Sequence, residues 1–441
     1  MKSKILALAA TIALALPAQA DDLLQIYHDA QQNDPALASA RSIWQATQER
    51  LPQARAGLLP NVAASAGANV NRYDQHLSRV DGGSYGRNFA TGSLSVSASQ
   101  PIYRVGNVVS YDQAQEQVAQ ADYVLATAQQ DLMLRTTVAY FDVLLAQYNI
   151  ELVVAQKAAV SEQLAQAKRN FEVGVATITD TNEAQAKYDQ IVASEISTRN
   201  DYDNKVAALR AIINRAPGPL ARLTQNFDPQ PPDPDNAQYW IDRALGDNLA
   251  IRVAQSSLNI ATLEIDRQRA GHLPTVDLVA NYGGSYGNGS SSFGEDFNTR
   301  SGLIGIAVNV PIYQGGFVNS KVREAVALQD NARQSLEAAR RNALFNAQTG
   351  FAGVQSSVAS IKANAQAVHS AEVAYDSNRV GQEVGVRTNL DVLNTQQNVF
   401  TARRDLASAY FNYLISVLRL KSAAGTLTGL DIEDLNRRLR G

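Results

Sequence analysis

Cysteine is absent from the 441-residue chain. The protein therefore has no disulfide framework, and no cysteine follows its N-terminal segment to carry a lipid anchor.

Aromatic residues make up only 7% and charged residues 18%, while alanine dominates the hydrophobic 45%. This composition favours long, thin helices over one thick globular core. Beyond the N-terminal segment no run reaches the roughly 18 unbroken apolar residues of a membrane-spanning helix, so any membrane insertion would use a barrel.

The first twenty residues have the layout of a cleavable secretory signal. Lys2 and Lys4 precede an apolar run from Ile5 to Leu16, and the segment ends in Ala18-Gln19-Ala20. We therefore predict a signal peptide over residues 1–20 and plain secretion of a mature chain that begins at Asp21. Loss of the two lysines takes the formal net charge from -3 to -5, which argues against nucleic-acid binding as a main task.

Catalytic and metal-binding patterns are missing as well. The four histidines are scattered without ligand spacing, and no Ser/His/Asp or paired-carboxylate arrangement can be defended. We expect no enzyme activity, no metal and no cofactor.

The chain contains an internal duplication. Three anchors repeat in order at offsets of 214, 210 and 211 residues: Arg55–Pro60 with Arg269–Pro274, Pro101–Tyr103 with Pro311–Tyr313, and Val173–Val175 with Val384–Val386. Near-constant offsets indicate two copies of one unit. The sequence predicts a first repeat over 21–225, a proline-rich linker over 226–236, a second repeat over 237–428 and a C-terminal tail over 429–441.

Each repeat contains two segments in which apolar and polar residues alternate. We predict strands at about 59–76 and 88–103 in the first repeat, and at about 273–287 and 299–313 in the second. Prolines mark the borders of all four. Four strands cannot close a barrel that needs about eight, and open edges cannot face lipid. The subunit must therefore share a barrel with copies of itself, and three copies would give twelve strands.

Two segments read as helices too long for a globular domain. Residues 106–173 contain no proline, and at 1.5 Å per residue that helix would run roughly 100 Å. Residues 316–380 form the equivalent helix of the second repeat. Seven-residue spacing predicts a coiled-coil seam over Leu134, Val138, Phe141, Leu145, Tyr148, Leu152, Ala155 and Ala159. Shorter helices would stack end to end as partners, namely 181–215 with 23–55 and 388–424 with 237–270.

These features together make the sequence similar to the TolC family of outer-membrane efflux proteins, over essentially the whole mature chain. The resemblance rests on the duplicated proline-bordered strands, on Asn170–Gly174 followed by Ile178–Asp180, on Val384–Thr388 followed by Asp391–Leu393, and on the ending Tyr410–Leu414 to Lys421–Leu427. It implies an α+β membrane protein of a Gram-negative outer membrane, in which a trimeric twelve-stranded β-barrel, four strands per chain, continues into an α-helical coiled-coil tunnel across the periplasm.

The resemblance also implies a function and partners. The protein would be a passive exit duct for tripartite multidrug efflux and type I protein secretion. A periplasmic adaptor (membrane fusion) protein and an inner-membrane pump would dock on its periplasmic end and open it by untwisting helix pairs. Its other contacts would be outer-membrane lipid and the exported drugs or proteins.

Family positions place a gate at the narrow periplasmic end. In the family, a network between helices closes the tunnel by joining an aspartate of the first repeat to an arginine of the second. Asp180 matches that aspartate, Arg387 matches the arginine, and Asp391 matches an aspartate of a pore ring. Gln382 stands where the family has a tyrosine, and Asn394 where it has a second ring aspartate. The resemblance therefore implies a weaker latch and a weaker cation filter than usual, with a ring of three charges on the trimer axis.

A plain structural explanation stands beside this one. Asp180–Glu183 and Thr388–Asp391 both read as helix-start capping boxes, which stabilise a turn without gating anything. Gly174 and Gly385 fit tight turns at the helix tips, with adaptor contact as a second role.

Two rival functions use the same features differently. A general diffusion porin normally carries all its strands in one chain, and the long helices argue against it. A periplasmic coiled-coil scaffold without a pore would not need four alternating strands.

Overall fold

The computed structural model describes residues 21–76, 84–222, 228–290 and 295–439. The predicted signal peptide, residues 1–20, lies outside the described residues, as do linker residues 226 and 227. In chain order the elements are α1 (Leu23–Asn33), α2 (Pro35–Gln48), α3 (Arg50–Ala56), β1 (Asn61–His76), β2 (Ser84–Tyr103), α4 (Val105–Glu172), α5 (Ile178–Ile213), α6 (Ala237–Asp247), α7 (Leu249–Arg269), β3 (Thr275–Gly287), β4 (Phe297–Asn309), α8 (Phe317–Glu383), α9 (Asn389–Ala423) and α10 (Gly429–Arg437). The predicted α+β fold, with four strands and two very long helices per chain, is confirmed.

The first helix of each repeat is broken where one continuous helix was expected. Asp34 separates α1 from α2 because its Oδ1 accepts a hydrogen bond from the Leu37 N–H at 2.8 Å, while Pro35 has no N–H and fits a first helical position. Asn248 separates α6 from α7 with an extended backbone, at φ -62° and ψ 126°. A short polar residue thus interrupts both helices. Helix α10 occupies most of the predicted tail.

The four strands form one antiparallel sheet in the order β1-β2-β3-β4. Cross-strand pairs such as Ala64↔Val96 and Ala280↔Ile304 put the even-numbered residues of all four strands on one, mostly apolar face. The last strand is shorter than predicted, ending at Asn309 instead of residue 313, because Pro311 has no N–H to donate to the ladder. Within the described residues β1 and β4 each have a neighbour on one side only.

The opposite face of the sheet carries many hydroxyl and amide groups. The Ser65 and Ser95 hydroxyls lie 2.8 Å apart across β1 and β2. Those of Ser285 and Thr299 lie 2.7 Å apart across β3 and β4. The sheet is therefore two-sided, mostly apolar on one face and mostly polar on the other, which is the alternation of membrane barrel strands.

The chain divides into two compact units. The helical unit comprises Met1–Ala40, Leu125–Leu249 and Arg341–Gly441, and the sheet unit comprises Arg41–Val124 and Ala250–Arg340. Each unit takes elements from both sequence repeats, so the repeats do not correspond to separate domains.

Aromatic packing between the two repeats forms the centre of the helical unit. Phe141 of α4 lies 5.4 Å from Phe411 of α9 between ring centroids, and Tyr140 packs edge-on against Phe141 at 5.9 Å. The Tyr140 side chain is fully buried and donates its hydroxyl hydrogen to the Ala221 carbonyl at 3.0 Å. Burial raises the pKa of this hydroxyl above its usual range, so it stays a donor at any physiological pH.

The coiled-coil seam of α4 differs from the prediction in its last part. Val153, Val160 and Ala167 are buried at a seven-residue spacing and pack with Ile191 of α5. The predicted seam residue Ala155 is exposed. The straight heptad count placed Ala155 and Ala159 in the seam, whereas the helix buries Val153 and Val160 there, and each of these valines buries more apolar surface than an alanine would. The earlier seam residues Leu134, Val138 and Leu145 are half-buried against the main core.

Among the described residues one helix, α4, is long and apolar enough over one 18-residue stretch to cross a membrane by length and composition alone. A core helix satisfies the same test. In α4 the Phe141 and Val143 side chains are 1% exposed, and the Asp142 carboxylate accepts a hydrogen bond from Lys205 of α5 at 2.9 Å. Packing within the helical unit therefore buries part of the apolar surface of α4.

Candidate functional site at the helix tips

The two sequence repeats end their long helices in the same tight turn. After α4 the chain turns through Gly174 at φ +78°, and the Val175 N–H donates to the Asn170 carbonyl at 2.9 Å. After α8 it turns through Gly385 at φ +79°, and the Val386 N–H donates to the Gly381 carbonyl at 2.9 Å. No atom lies within 4 Å of where a Cβ would stand on either Gly174 or Gly385, so positive φ alone explains these two glycines.

Both turns lead into a capping box that starts the return helix. At α5 the Thr177 N–H donates to Asp180 Oδ2 at 2.9 Å, and the Asp180 N–H donates to Thr177 Oγ1 at 3.2 Å. At α9 the corresponding distances between Thr388 and Asp391 are 3.0 and 3.2 Å. The predicted box Thr388–Asp391 is confirmed.

The predicted capping box at Asp180–Glu183 is wrong, because the box lies three residues earlier, at Thr177–Asp180. Asp180 closes the box that Thr177 opens, so α5 begins at Ile178 and not near Thr181. The repeat offset of 211 residues pairs Thr177 with Thr388, so the position of the first box could have been predicted from the second.

Asp391 carries a stabilised negative charge. The N–H and the hydroxyl of Thr388 donate to its carboxylate, and the neighbouring Arg387 guanidinium adds attraction, which together hold the pKa of Asp391 below its usual range. The carboxylate is therefore ionised at neutral and mildly acidic pH. Its side chain is half-buried, whereas Arg387 is exposed.

Gln382 and Arg387 both stay within the second repeat. The Gln382 amide donates to Asn389 Oδ1 at 3.2 Å, which ties the end of α8 to the start of α9. The Arg387 stem lies over Gly381, where a Cβ would come within 2.7 Å of Arg387 Cγ. Among the described residues of this single chain, Asp180 shares no hydrogen bond or ion pair with Arg387. Asn394 is exposed one turn beyond Asp391.

Packing nevertheless brings the two return helices together near their starts. Leu393 of α9 is buried in the same cluster as Ala184 and Ile191 of α5. A little further on, the Lys187 ammonium donates to Gln397 Oε1 at 2.6 Å. The first turns of α5 and α9, with their aspartates, therefore lie side by side in the helical unit.

Two features of the tips were not singled out from the sequence. The offset of 211 residues pairs Asn394 with Glu183, so the acidic group missing from the second repeat is present in the first. Four valines at the turns are unusually exposed for apolar side chains, at 69–74%: Val173, Val175, Val384 and Val386. The repeat alignment and the two Val-Gly-Val anchors were the available signals. In the described residues no group of three or more His, Asp or Glu could hold a metal ion.

Comparison with known proteins gives consistent matches along the chain. Residues 26–215 and 240–426 match the family described as outer membrane efflux protein. Outer membrane protein TolC of Vibrio cholerae is 36% identical over 426 residues, covering 96% of this chain and 94% of that protein. The alkaline protease secretion protein AprF of Pseudomonas aeruginosa is 31% identical, covering 93% of this chain and 86% of that protein. The crystal structure of the outer membrane protein VceC of Vibrio cholerae superposes with a TM-score of 0.76 at 20% identity, covering 91% and 96% of the two chains.

Proposed function

This chain belongs to the outer membrane efflux protein family, and we propose that three copies of it form one exit duct for drug efflux and type I protein secretion. The protein is an outer-membrane channel component, as the predicted resemblance to the TolC family implied. The observation that carries the trimer is the open four-stranded sheet attached to helices of 68 and 67 residues.

The sheet edges require copies of the chain. Among the described residues, strands β1 and β4 each leave a row of backbone N–H and C=O groups without a partner strand, and lipid offers nothing to pair with them. Pairing β4 of one copy with β1 of the next satisfies both rows. Three copies close a barrel of twelve strands, while the long helices extend from it as a periplasmic tunnel. The polar face of the sheet then lines the lumen.

We propose that the gate lies at the helix tips. Asp180, Asp391 and Arg387 stand at the starts of the two return helices, where three copies would bring their charges around one axis. Because Gln382 bonds to Asn389 within its own repeat, it is not available as a strong latch to the first repeat. Asp180 and Arg387 would then form the main closing contact, and Asp391 a ring of three charges weakened by the neutral Asn394.

The tips are also the proposed docking point for a periplasmic adaptor and, with it, an inner-membrane pump. The turns at Gly174 and Gly385 present two exposed valines each, Val173 and Val175 in the first repeat and Val384 and Val386 in the second. Exposed apolar side chains at the end of a polar helical hairpin suit a protein partner. The duct itself would carry out no chemical reaction, because the pump supplies the energy and the cargo specificity.

Bilayer electrophysiology tests the latch. Arg387→Ala should raise the open probability and conductance of single channels, because each subunit loses the cation that we propose pairs with Asp180 in the closed trimer. Arg379→Ala is a matched control, since Arg379 lies near the end of α8, just before the turn that holds Arg387, and pairs with Asp376 of its own helix at 3.8 Å and i,i+3 spacing. Unchanged conductance and open probability in Arg387→Ala would show that the latch assignment is wrong.

Deletion of the gene tests the function in the cell. The mutant should become sensitive to dyes, detergents and antibiotics, or lose secreted proteins, because both cargo classes leave through the duct. A general porin would instead alter the uptake of small solutes, and a poreless scaffold would be recovered in the soluble periplasmic fraction. No change in either sensitivity or secreted proteins would remove the support for an exit duct.

A further inference from the structure

The apolar face of the sheet carries a group of side chains that its membrane role does not by itself require. On this face Val62–Val70 of β1 and Ile304–Val308 of β4 present exposed apolar residues at alternate positions. Towards the hairpin ends the apolar stretch stops at Arg72 on β1 and at Arg300 on β4. Within the described part of the chain no helix is joined to these strand ends, since α3, α4, α7 and α8 adjoin the opposite ends of the strands, so in the proposed duct the hairpin ends lie at the outer leaflet.

Three glycines just inside this border make room for larger neighbours. A Cβ on Gly92 would come within 2.4 Å of the Tyr286 ring, directly across the β2–β3 ladder. A Cβ on Gly302 would lie 3.4 Å from the ring of Tyr282, its partner across β3 and β4.

The third glycine, Gly284, faces Arg300, whose Cγ would lie 3.8 Å from a Cβ at that position. Two tyrosine rings and one arginine stem therefore lie along the sheet over backbone that has no side chains of its own.

Arg300 brings a positive charge to this surface. Within the described ranges it forms no ion pair. The other arginine of the same face, Arg72, donates to Asp74 at 3.0 Å and is thus already compensated. The rings beside Arg300 are open to their surroundings, since Tyr282 is 64% and Tyr286 67% exposed. A cation and two hydroxyl-bearing rings are thus held at one border of an apolar surface.

We propose that Tyr282, Tyr286 and Arg300 form a binding site for the phosphate group of an outer-leaflet glycolipid headgroup. This rests on the membrane placement of the sheet in the proposed function. Tyrosine rings favour the boundary between hydrocarbon and headgroups, and a guanidinium binds phosphate with two parallel hydrogen bonds. The glycines allow the three side chains to lie flat, so a headgroup can approach the sheet closely. Each subunit of the duct carries one such site.

Native mass spectrometry of the purified assembly in detergent tests the site, with lipid A as the probe. Arg300→Gln should bind lipid A about fivefold more weakly, which corresponds to about 1 kcal/mol for one basic residue at a membrane surface. Arg300→Lys should keep most of the binding because it keeps the charge. Arg323→Gln on the exposed face of α8 is the matched control and should bind like the wild type. Lipid A without its phosphates should bind the wild type as weakly as lipid A binds Arg300→Gln.

The outcomes separate the site from the function on which it rests. Competition by millimolar inorganic phosphate would show that the site takes free phosphate, and would overturn the lipid assignment. Equal lipid A affinity of wild type and Arg300→Gln, with both proteins recovered from the outer membrane, would overturn the site while leaving the duct intact. A wild-type protein that is absent from the outer-membrane fraction would instead overturn the proposed function.

Discussion

Replacing Arg135 by glutamine should destabilise the helical unit through a single buried carboxylate. The Asp34 side chain is 4% exposed. It accepts hydrogen bonds from Arg135 Nη1 and Nη2, both at 3.1 Å, and from the Leu37 N–H at 2.8 Å. Arg135→Gln leaves that carboxylate buried without its cation, while the cap of α2 remains.

The magnitude follows from burial and exposure together. Removing one partner of a fully buried ion pair costs about 3–5 kcal/mol. The Arg135 side chain is 36% exposed, so solvent screens the pair, and we expect a loss of about 2 kcal/mol in the free energy of unfolding. For a unit of this size that corresponds to a melting temperature lower by about 4–8 °C. Thermal unfolding of the detergent-solubilised assembly, at one scan rate and protein concentration, measures it.

The loss of unfolding free energy in Arg135→Gln should become smaller as the pH falls. Burial raises the pKa of Asp34, but the hydrogen bonds from Arg135 and Leu37 outweigh it, so the pKa lies below its usual value. A carboxyl with a lowered folded-state pKa adds stability above its unfolded pKa of about 3.9, and that stability disappears as pH falls through the folded pKa. The difference between wild type and Arg135→Gln should therefore be constant from about pH 5 to 8 and narrow below about pH 4.

Two further variants complete the test. Arg333→Gln breaks a pair with Asp330 in which both side chains are more than half exposed, and should change the melting temperature by less than about 1 °C. Asp34→Asn combined with Arg135→Gln should recover part of the loss, because no unpaired buried charge remains. If Arg135→Gln melts like Arg333→Gln, or if its deficit persists unchanged at pH 3, the reasoning about Asp34 is refuted.

Two other substitutions probe the gate and the fold. Asn394→Asp should add a second ring of three carboxylates and so raise the ratio of cation to anion permeability of single channels, which is read from the reversal potential in a KCl gradient. Asn364→Asp on α8 is the control. An equal permeability ratio in both variants would contradict a pore-lining position for residue 394. Gly425→Ala should prevent stable assembly, because Gly425 has φ +72° and a Cβ would come within 2.3 Å of the Asp247 carbonyl oxygen, a cost of at least about 3 kcal/mol. Gly353→Ala, inside α8 with no atom within 4 Å of its Cβ position, should instead stabilise by about 0.5–1 kcal/mol, and similar thermal stability of the two variants would rule out the conformational explanation.

The features of the fold that the sequence predicts are those set by local chemistry. Proline has no N–H and alternating side chains sort to two faces, so the four strands and the two long helices could be located from the pattern. The end of β4 was predicted too late, because the strand already ends at Asn309, two residues before Pro311. The breaks at Asp34 and Asn248 were missed because short polar residues look ordinary inside a helical pattern.

The candidate site shows the same division. The repeat offset located the tip turns and both aspartates, and it also pairs Thr177 with Thr388, although the residue types alone suggested a box starting at Asp180. The bond from Gln382 to Asn389 could not be predicted, because it depends on how the turn at Gly385 folds back. Neither could the approach of α5 to α9 through Ala184 and Leu393, which is a tertiary contact between distant repeats.

The hydroxyl and amide face of the sheet has a consequence for what can pass along it. Hydroxyl groups pair across the strands, Ser65 with Ser95 and Ser285 with Thr299. Each hydroxyl keeps a lone pair or a hydrogen with which water can bond. These hydroxyls exchange partners at little cost and carry no charge that would hold a cation or repel an anion. In the duct, cargo would meet a surface resembling bulk solvent, so a polypeptide and a small amphiphile would slide past it with similar ease.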